Sequence, residues 1–158
     1  MSRPQLCVQI VPFYPLPRAL SDKTDYFLLP AIVMREKGYE VEFLTLKEGG
    51  SRMVELSDVQ KRNKSVEQYK GFTIRRFSNV LGMYWHIIRK ADFVHAHLRP
   101  FLPSQFSGLL PKKKVITTFT YVVGSKWWID ALSTLLLKRY NRIFAVTPYE
   151  IMVYTDHS

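Results

Sequence analysis

Short apolar runs alternate along the chain with stretches of helical spacing, and glycine or proline marks most of the changes. Leu6 to Val11 is a compact apolar run closed by Pro12, the pattern of a buried strand. A proline-rich loop follows, with Pro12, Pro15 and Pro17, and Ser21 or Asp22 offers a cap to the next element. From Tyr26 to Lys37 the apolar positions Phe27, Leu28, Ala31, Ile32 and Met34 follow helical spacing. Pro30 predicts a kink or a restart there, because it lacks an N–H and crowds the preceding turn. Gly38 is a suitable stop, since it accepts the left-handed conformation that ends many helices.

Tyr39 to Leu46 alternates as a strand, and Gly49-Gly50 ends it. Residues 51–70 are polar and weakly patterned, which predicts a loop with room for a short helix. Phe72 to Phe77 reads as a strand with polar residues interleaved, Asn79 to Lys90 as a helix, and Phe93 to His97 as another strand. Pro103 to Leu110 is helical in content and stops at Pro111. Val115 to Tyr121 is strand-like, Lys126 to Tyr140 helical, and Arg142 to Val146 strand-like. Thr147-Pro148-Tyr149-Glu150 then joins a capping box to a proline at the first helical position.

About six strands alternating with as many helices predict βαβ units. The fold class expected is α/β, a Rossmann-like three-layer domain with a mostly parallel sheet and helices on both faces. Residues 1–158 form a single domain in this reading. Ligands on such sheets bind beyond the carboxyl ends of the strands, which points to the loops after Val11, His97 and Tyr121.

Composition narrows the function classes. Hydrophobic residues make up 47% and charged residues 23%, as in globular rather than disordered chains. A formal net charge of +10 favours anionic partners, whether phosphates, nucleic acid or an acidic membrane surface. Cys7 is the lone cysteine, set in an apolar run, so it reads as a small buried hydrophobe and fits a reducing, cytoplasmic compartment. The N-terminus lacks the apolar stretch of a signal peptide, and no run approaches the ~20 residues of a membrane span. Peripheral attachment to the inner face of a membrane stays compatible with this composition. The helix over Asn79–Lys90 carries Met83, Tyr84, Trp85, Ile87 and Ile88 beside Arg89-Lys90, which suits either a sheet-facing core stripe or a lipid headgroup layer.

Several chemistries lack their residues. No glycine occurs before Gly38, so the first loop is no glycine-rich phosphate cradle, and no Walker loop is present. A nucleophile elbow is missing, and Cys7 has no activating context. His95 and His97 share one face of a strand, but no third ligand stands at metal spacing, and no metal is expected. His97, nearer the carboxyl end, is placed to act as a general base or to hold an anionic acceptor. His95 lies deeper and reads as structural. The remaining basic clusters are Arg75-Arg76, Arg89-Lys90 and Lys112-Lys113-Lys114.

In their order and spacing these segments resemble glycosyltransferase family 4, a group of GT-B enzymes. The resemblance is carried by Val8-Gln9-Ile10-Val11-Pro12-Phe13-Tyr14-Pro15, by Arg35-Glu36-Lys37-Gly38-Tyr39-Glu40-Val41, and by Gly71-Phe72-Thr73-Ile74-Arg75-Arg76-Phe77. Ala91-Asp92-Phe93-Val94-His95-Ala96-His97 is similar to the family's Asp-hydrophobic-hydrophobic-His-x-His segment. Val115 to Thr120 and Ile143 to Thr147 fall where the family has its next two strands.

The resemblance implies the N-terminal, acceptor-side domain of a GT-B enzyme. Its donor would be a nucleotide sugar, held mainly by a C-terminal domain beyond this sequence, and its acceptor a glycan or lipid-linked molecule. Transfer would need no essential metal or other cofactor. The acceptor-side residues implied are Tyr14, Arg18, His97, Arg99 and Thr120, with His97 as the catalytic candidate. Two positions depart from the family. A frequent Gly-Gly pair in the first loop is replaced by Leu16-Pro17-Arg18-Ala19-Leu20, where Arg18 offers charge instead of backbone amides. A common histidine is replaced by Thr120, which cannot do that residue's proton transfer, so His97 is the nearest substitute. The alternative is a non-catalytic basic module for nucleic acid, the less expected target, or an acidic membrane.

Overall fold

The computed structural model describes residues 3–12, 27–47, 64–97, 102–110, 114–119, 135 and 139–145. Among these, seven strands form one sheet: β1 (Leu6–Ile10), β2 (Glu40–Leu46), β3 (Val66–Tyr69), β4 (Phe72–Phe77), β5 (Phe93–His97), β6 (Lys114–Phe119) and β7 (Arg142–Ala145). The spatial order is β3-β4-β2-β1-β5-β6-β7. All neighbours run parallel except β3, which pairs antiparallel with β4. With that edge strand set aside, the parallel strands stand in the order third, second, first, fourth, fifth, sixth. This is the doubly wound Rossmann arrangement, in which the winding reverses between β1 and β5.

Helices cover both faces, and strand alternation decides which side chains they meet. Helix α1 (Leu28–Glu36) packs through Phe27 and Ala31 on a cluster made by Cys7, Val11, Val41, Phe43, Phe72 and Ile74. Helix α2 (Val80–Lys90) packs through Met83 and Ile87 on the other face, against Leu6, Val8, Ile10, Leu44, Val94 and Ala96. The middle strand β1 is buried along its whole length, so its residues alternate between two cores. That explains a run apolar at every position but Gln9. Short elements follow β5: α3 (Leu102–Gln105) continues into a 3₁₀ turn, Phe106–Leu109.

The expected helix over Tyr26–Lys37 is shorter and needs no kink. It begins at Leu28, so Pro30 stands in the first turn, where the missing N–H has no partner to lose. Phe27 occupies the N-cap without a side-chain cap bond, and Ser21 and Asp22 lie outside the described residues. Gly38, with φ +87°, ends the helix, and its N–H bonds to the Arg35 carbonyl at 2.9 Å. At α2 the Asn79 side chain accepts from Gly82 N at 2.7 Å.

The loop expected over residues 51–70 is corrected at its end. Val66–Tyr69 is a strand, joined to β4 by the two-residue turn Lys70-Gly71 with φ +49° and +78°. Both turn residues are left-handed, as a tight hairpin requires. The Arg75-Arg76 pair is also no joint basic patch. The two side chains leave opposite faces of β4, Arg75 toward Glu42 and Arg76 toward Glu67 at 2.8 Å. The helices expected over Lys126–Tyr140 and after Thr147 fall mostly outside the described residues.

Candidate functional site

The crevice rule for doubly wound sheets points to the carboxyl ends of β1 and β5. The two strands pair in register, with Gln9 beside His95 and Ile10 beside Ala96. Their starts are tied as well: Asp92 Oδ2 accepts from Leu6 N at 2.9 Å, and Asp92 N donates to the Leu6 carbonyl at 2.9 Å. Asp92, the acidic residue that opens the His-x-His segment, thus fixes the stagger of β5 against β1.

At the far end His97 Nε2 donates to Gln9 Oε1, bridging the two strands below the reversal point. A carboxamide oxygen only accepts, so this bond puts the imidazole proton on Nε2. Phe27 packs its ring edge-on against His97 at 5.1 Å, bringing the start of α1 over the same spot. His95 lies beneath, its ring centroid 3.9 Å from that of His97. All three polar residues are buried: Gln9 at 0%, His97 at 3% and His95 at 5% exposure. Burial pushes the His95 imidazole down to about 4 and, with the neighbouring His95, holds His97 well below the usual histidine range. Both rings are therefore neutral near pH 7. What His97 brings to a ligand in this state is a hydrogen-bonding imidazole, not a cation.

The loop stems at this end are anchored. Val11 N donates to the Leu44 carbonyl at 3.0 Å, and Thr45 Oγ1 donates to the Pro12 carbonyl at 3.1 Å. Ser104 Oγ donates to the His97 carbonyl at 2.8 Å, so α3 turns back on the end of β5. Ser104 and Ser107 are joined in turn to Tyr140, whose hydroxyl donates to the Ser104 carbonyl at 2.9 Å. Tyr84 of α2 donates to the Pro103 carbonyl at 2.7 Å, and burial raises its phenol further above the usual range.

Of the residues proposed from sequence, His97 alone falls among those described. Tyr14, Arg18, Arg99 and Thr120 lie outside them, as do most residues of the loops after Val11 and His97. Gln9 was missed, although its signal is present: a single amide inside an otherwise apolar, fully buried strand. Sequence reading also missed a polar cluster on the opposite face. Glu42 accepts from Arg75 Nη2 at 2.9 Å and lies 2.9 Å from His86 Nε2. Burial alone would raise the Glu42 carboxyl, but His86 and Arg75 outweigh it and hold it down at about 2. This cluster sits at mid-strand height on the α2 side of the sheet, with Glu42 level with Val8 of β1, and joins α2 to β2 and β4. Cys7, wholly buried, has its thiol pushed up to about 12, as suits the small core residue expected.

No protein-family model matches the chain, and no curated protein matches it. Among solved structures it is similar to a sucrose-phosphate synthase from Thermosynechococcus elongatus. The likeness covers 93% of this chain and 79% of that one, at 10% identity and a TM-score of 0.50. At that identity the shared property is the Rossmann-like fold. Among the described residues no helix is long and apolar enough to cross a membrane, and no three metal-ligating side chains gather.

Proposed function

We propose that this chain is the acceptor-side half of a GT-B glycosyltransferase of the family 4 kind. In this reading a sugar passes from a nucleotide sugar, held mainly by a partner domain, to a glycan or lipid-linked acceptor. The observation that carries it is the His97–Gln9 bridge at the point where a doubly wound sheet reverses. A histidine at the carboxyl end of that strand is where the ordered resemblance expects one. The fold likeness to a sucrose-phosphate synthase, an enzyme named for joining sugars, supports the same class.

The mechanism is one of placement. Sugar transfer with a diphosphate leaving group draws most of its rate from orienting the acceptor hydroxyl and stabilising developing charge. His97, with Nε2–H engaged by Gln9, offers Nδ1 as the atom toward which an acceptor hydroxyl would orient. Its depressed proton affinity keeps it in the accepting form. Tyr14, Arg18, Arg99 and Thr120 complete the proposed acceptor side, Arg18 and Arg99 with charge for an anionic acceptor.

Activity of the reconstituted two-domain enzyme tests this reading. Transfer from nucleotide sugar is expected to fall at least about 100-fold in His97→Ala, the usual size of one acid–base contribution. The 158 residues alone are expected to turn over nothing. An unchanged rate in His97→Ala removes that residue from the mechanism, and robust transfer by the isolated chain overturns the half-enzyme reading.

A further inference from the structure

The inner face of α2 is spent on the core through Met83 and Ile87, yet the helix keeps large apolar side chains outside. Leu81 is 80% exposed, Trp85 62% and Ile88 42%. Their spacing of four and then three residues aligns them in one stripe along the helix. Isolated exposed leucines are ordinary, but an aligned stripe with a tryptophan at its centre marks a surface that meets something. The flanking charge is of one sign. From Gln68 to Ala91 the sequence holds Lys70, Arg75, Arg76, Arg89 and Lys90 and no acidic residue. Arg75 and Arg76 are taken up by Glu42 and Glu67, whereas Arg89 and Lys90 stand exposed in the last turn. The Arg89 guanidinium lies 5.5 Å from the centre of the Trp85 ring, so charge and aromatic face belong to one surface.

We propose that the outer face of α2 docks on an anionic lipid bilayer, with Leu81, Trp85 and Ile88 entering the headgroup layer and Arg89 and Lys90 meeting lipid phosphates. Tryptophan favours that layer because its ring is apolar and its N–H remains wet. The chemistry argues against other occupants. A second copy of a chain with a net charge of +10 would bring cation against cation. A nucleic acid would use the two cations and stack on the tryptophan, but it gives aliphatic Leu81 and Ile88 nothing to bury in. An anionic bilayer uses all five side chains at once. This proposal stands on α2 alone and does not depend on sugar transfer.

The test is co-sedimentation of the chain with vesicles of phosphatidylglycerol and phosphatidylcholine, against phosphatidylcholine alone, with circular dichroism to verify each variant's fold. All five positions are exposed, so substitution there should leave the fold intact. Binding is expected only to the anionic vesicles. Arg89→Gln/Lys90→Gln should weaken it about 25-fold, some fivefold per charge. Leu81→Ser/Trp85→Ser/Ile88→Ser should abolish it. In a Trp127→Phe/Trp128→Phe background, Trp85 emission should shift to the blue and be quenched by brominated lipid; unshifted, unquenched emission from bound protein would overturn the insertion. If that background does not fold, the triple-serine variant decides: undiminished sedimentation overturns the proposal. Equal binding to neutral vesicles, or none to anionic ones, overturns it as well. So does self-association, or oligonucleotide binding, that depends on Leu81 and Ile88 in place of vesicle binding.

Discussion

His97 and Gln9 share a hydrogen bond between strands that are neighbours in the sheet but 88 residues apart in the chain. The bond lies where the two halves of the winding meet, so it secures the floor of the crevice and joins elements made far apart in sequence. Removing His97 takes the partner from the buried Gln9 Oε1, and removing Gln9 takes it from the buried His97 Nε2–H.

We expect Gln9→Ala and His97→Ala each to destabilise the chain by about 2–4 kcal/mol, from lost packing plus an unpaired buried polar group. The double variant should cost less than the sum, because no orphan remains. Urea denaturation of the four proteins measures the coupling. Strict additivity would mean that the bond contributes nothing.

Stability should fall in acid in two stages. His95 is neutral in the fold with its proton affinity lowered to about 4, while the unfolded chain takes up that proton near 6.5. Between those values the unfolded state binds more protons, so stability is full above about 6.5 and declines as pH drops toward 4, by roughly 1.4 kcal/mol per pH unit for one such group. His97, also held well below 6.5 by burial, adds in the same direction as pH falls below that value. Glu42, depressed from 4.5 to about 2, contributes above 4.5 and loses its share only below that. Denaturation midpoints measured from pH 7 to pH 3 should show the first decline vanish in a His95→Gln/His97→Gln variant and the second persist.

Lys70 has φ +49° at the first position of a hairpin turn, where a side chain other than Asn or Gly carries strain. Lys70→Asn should therefore stabilise by about 0.5–1 kcal/mol, read as a raised melting temperature. Gly71→Ala should do the opposite. Its φ is +78°, and the new Cβ would meet the Arg35 guanidinium at 3.1 Å. Equal stability of both variants would refute the turn geometry.

The Cys7 thiol, buried and pushed up to about 12, should be silent toward a water-soluble disulfide reagent in the native chain. It should react stoichiometrically once urea unfolds the protein, since the thiolate is the reactive form. Rapid native labelling would show that the end of β1 opens.

Most of this fold is legible in sequence, for a physical reason. β1, β2, β4 and β5 are buried on one or both faces, and burial writes itself into apolar runs or strict alternation. Gly38 and Asn79 are legible as helix ends because each supplies a conformation or an acceptor that other residues lack. β3 escapes because it lies at an edge: Val66 is 43% exposed, and Gln68 pairs its amide with the Thr73 hydroxyl at the surface. Its turn reads Lys-Gly rather than Asn-Gly, so the hairpin signal is weak. Pro30 carries information about a helix start, but spacing alone suits a kink equally well. Of the site, His97 was visible from its place at a strand end. Its bond to Gln9 was not, nor was the Glu42–Arg75–His86 cluster, because such pairs depend on the register of strands that only the folded sheet fixes.

The hairpin gives the sheet an ending. Its four-residue outer strand is flanked by exposed Lys64 and Lys70 and bears Glu67 within it. A foreign strand seeking that border would find little length to pair with and charge at both ends, the features by which open sheets avoid growing into one another. β3 is in this sense a guard against polymerisation, and lopping it off would expose β4, a longer strand that opens on Phe72 and carries Ile74 within it.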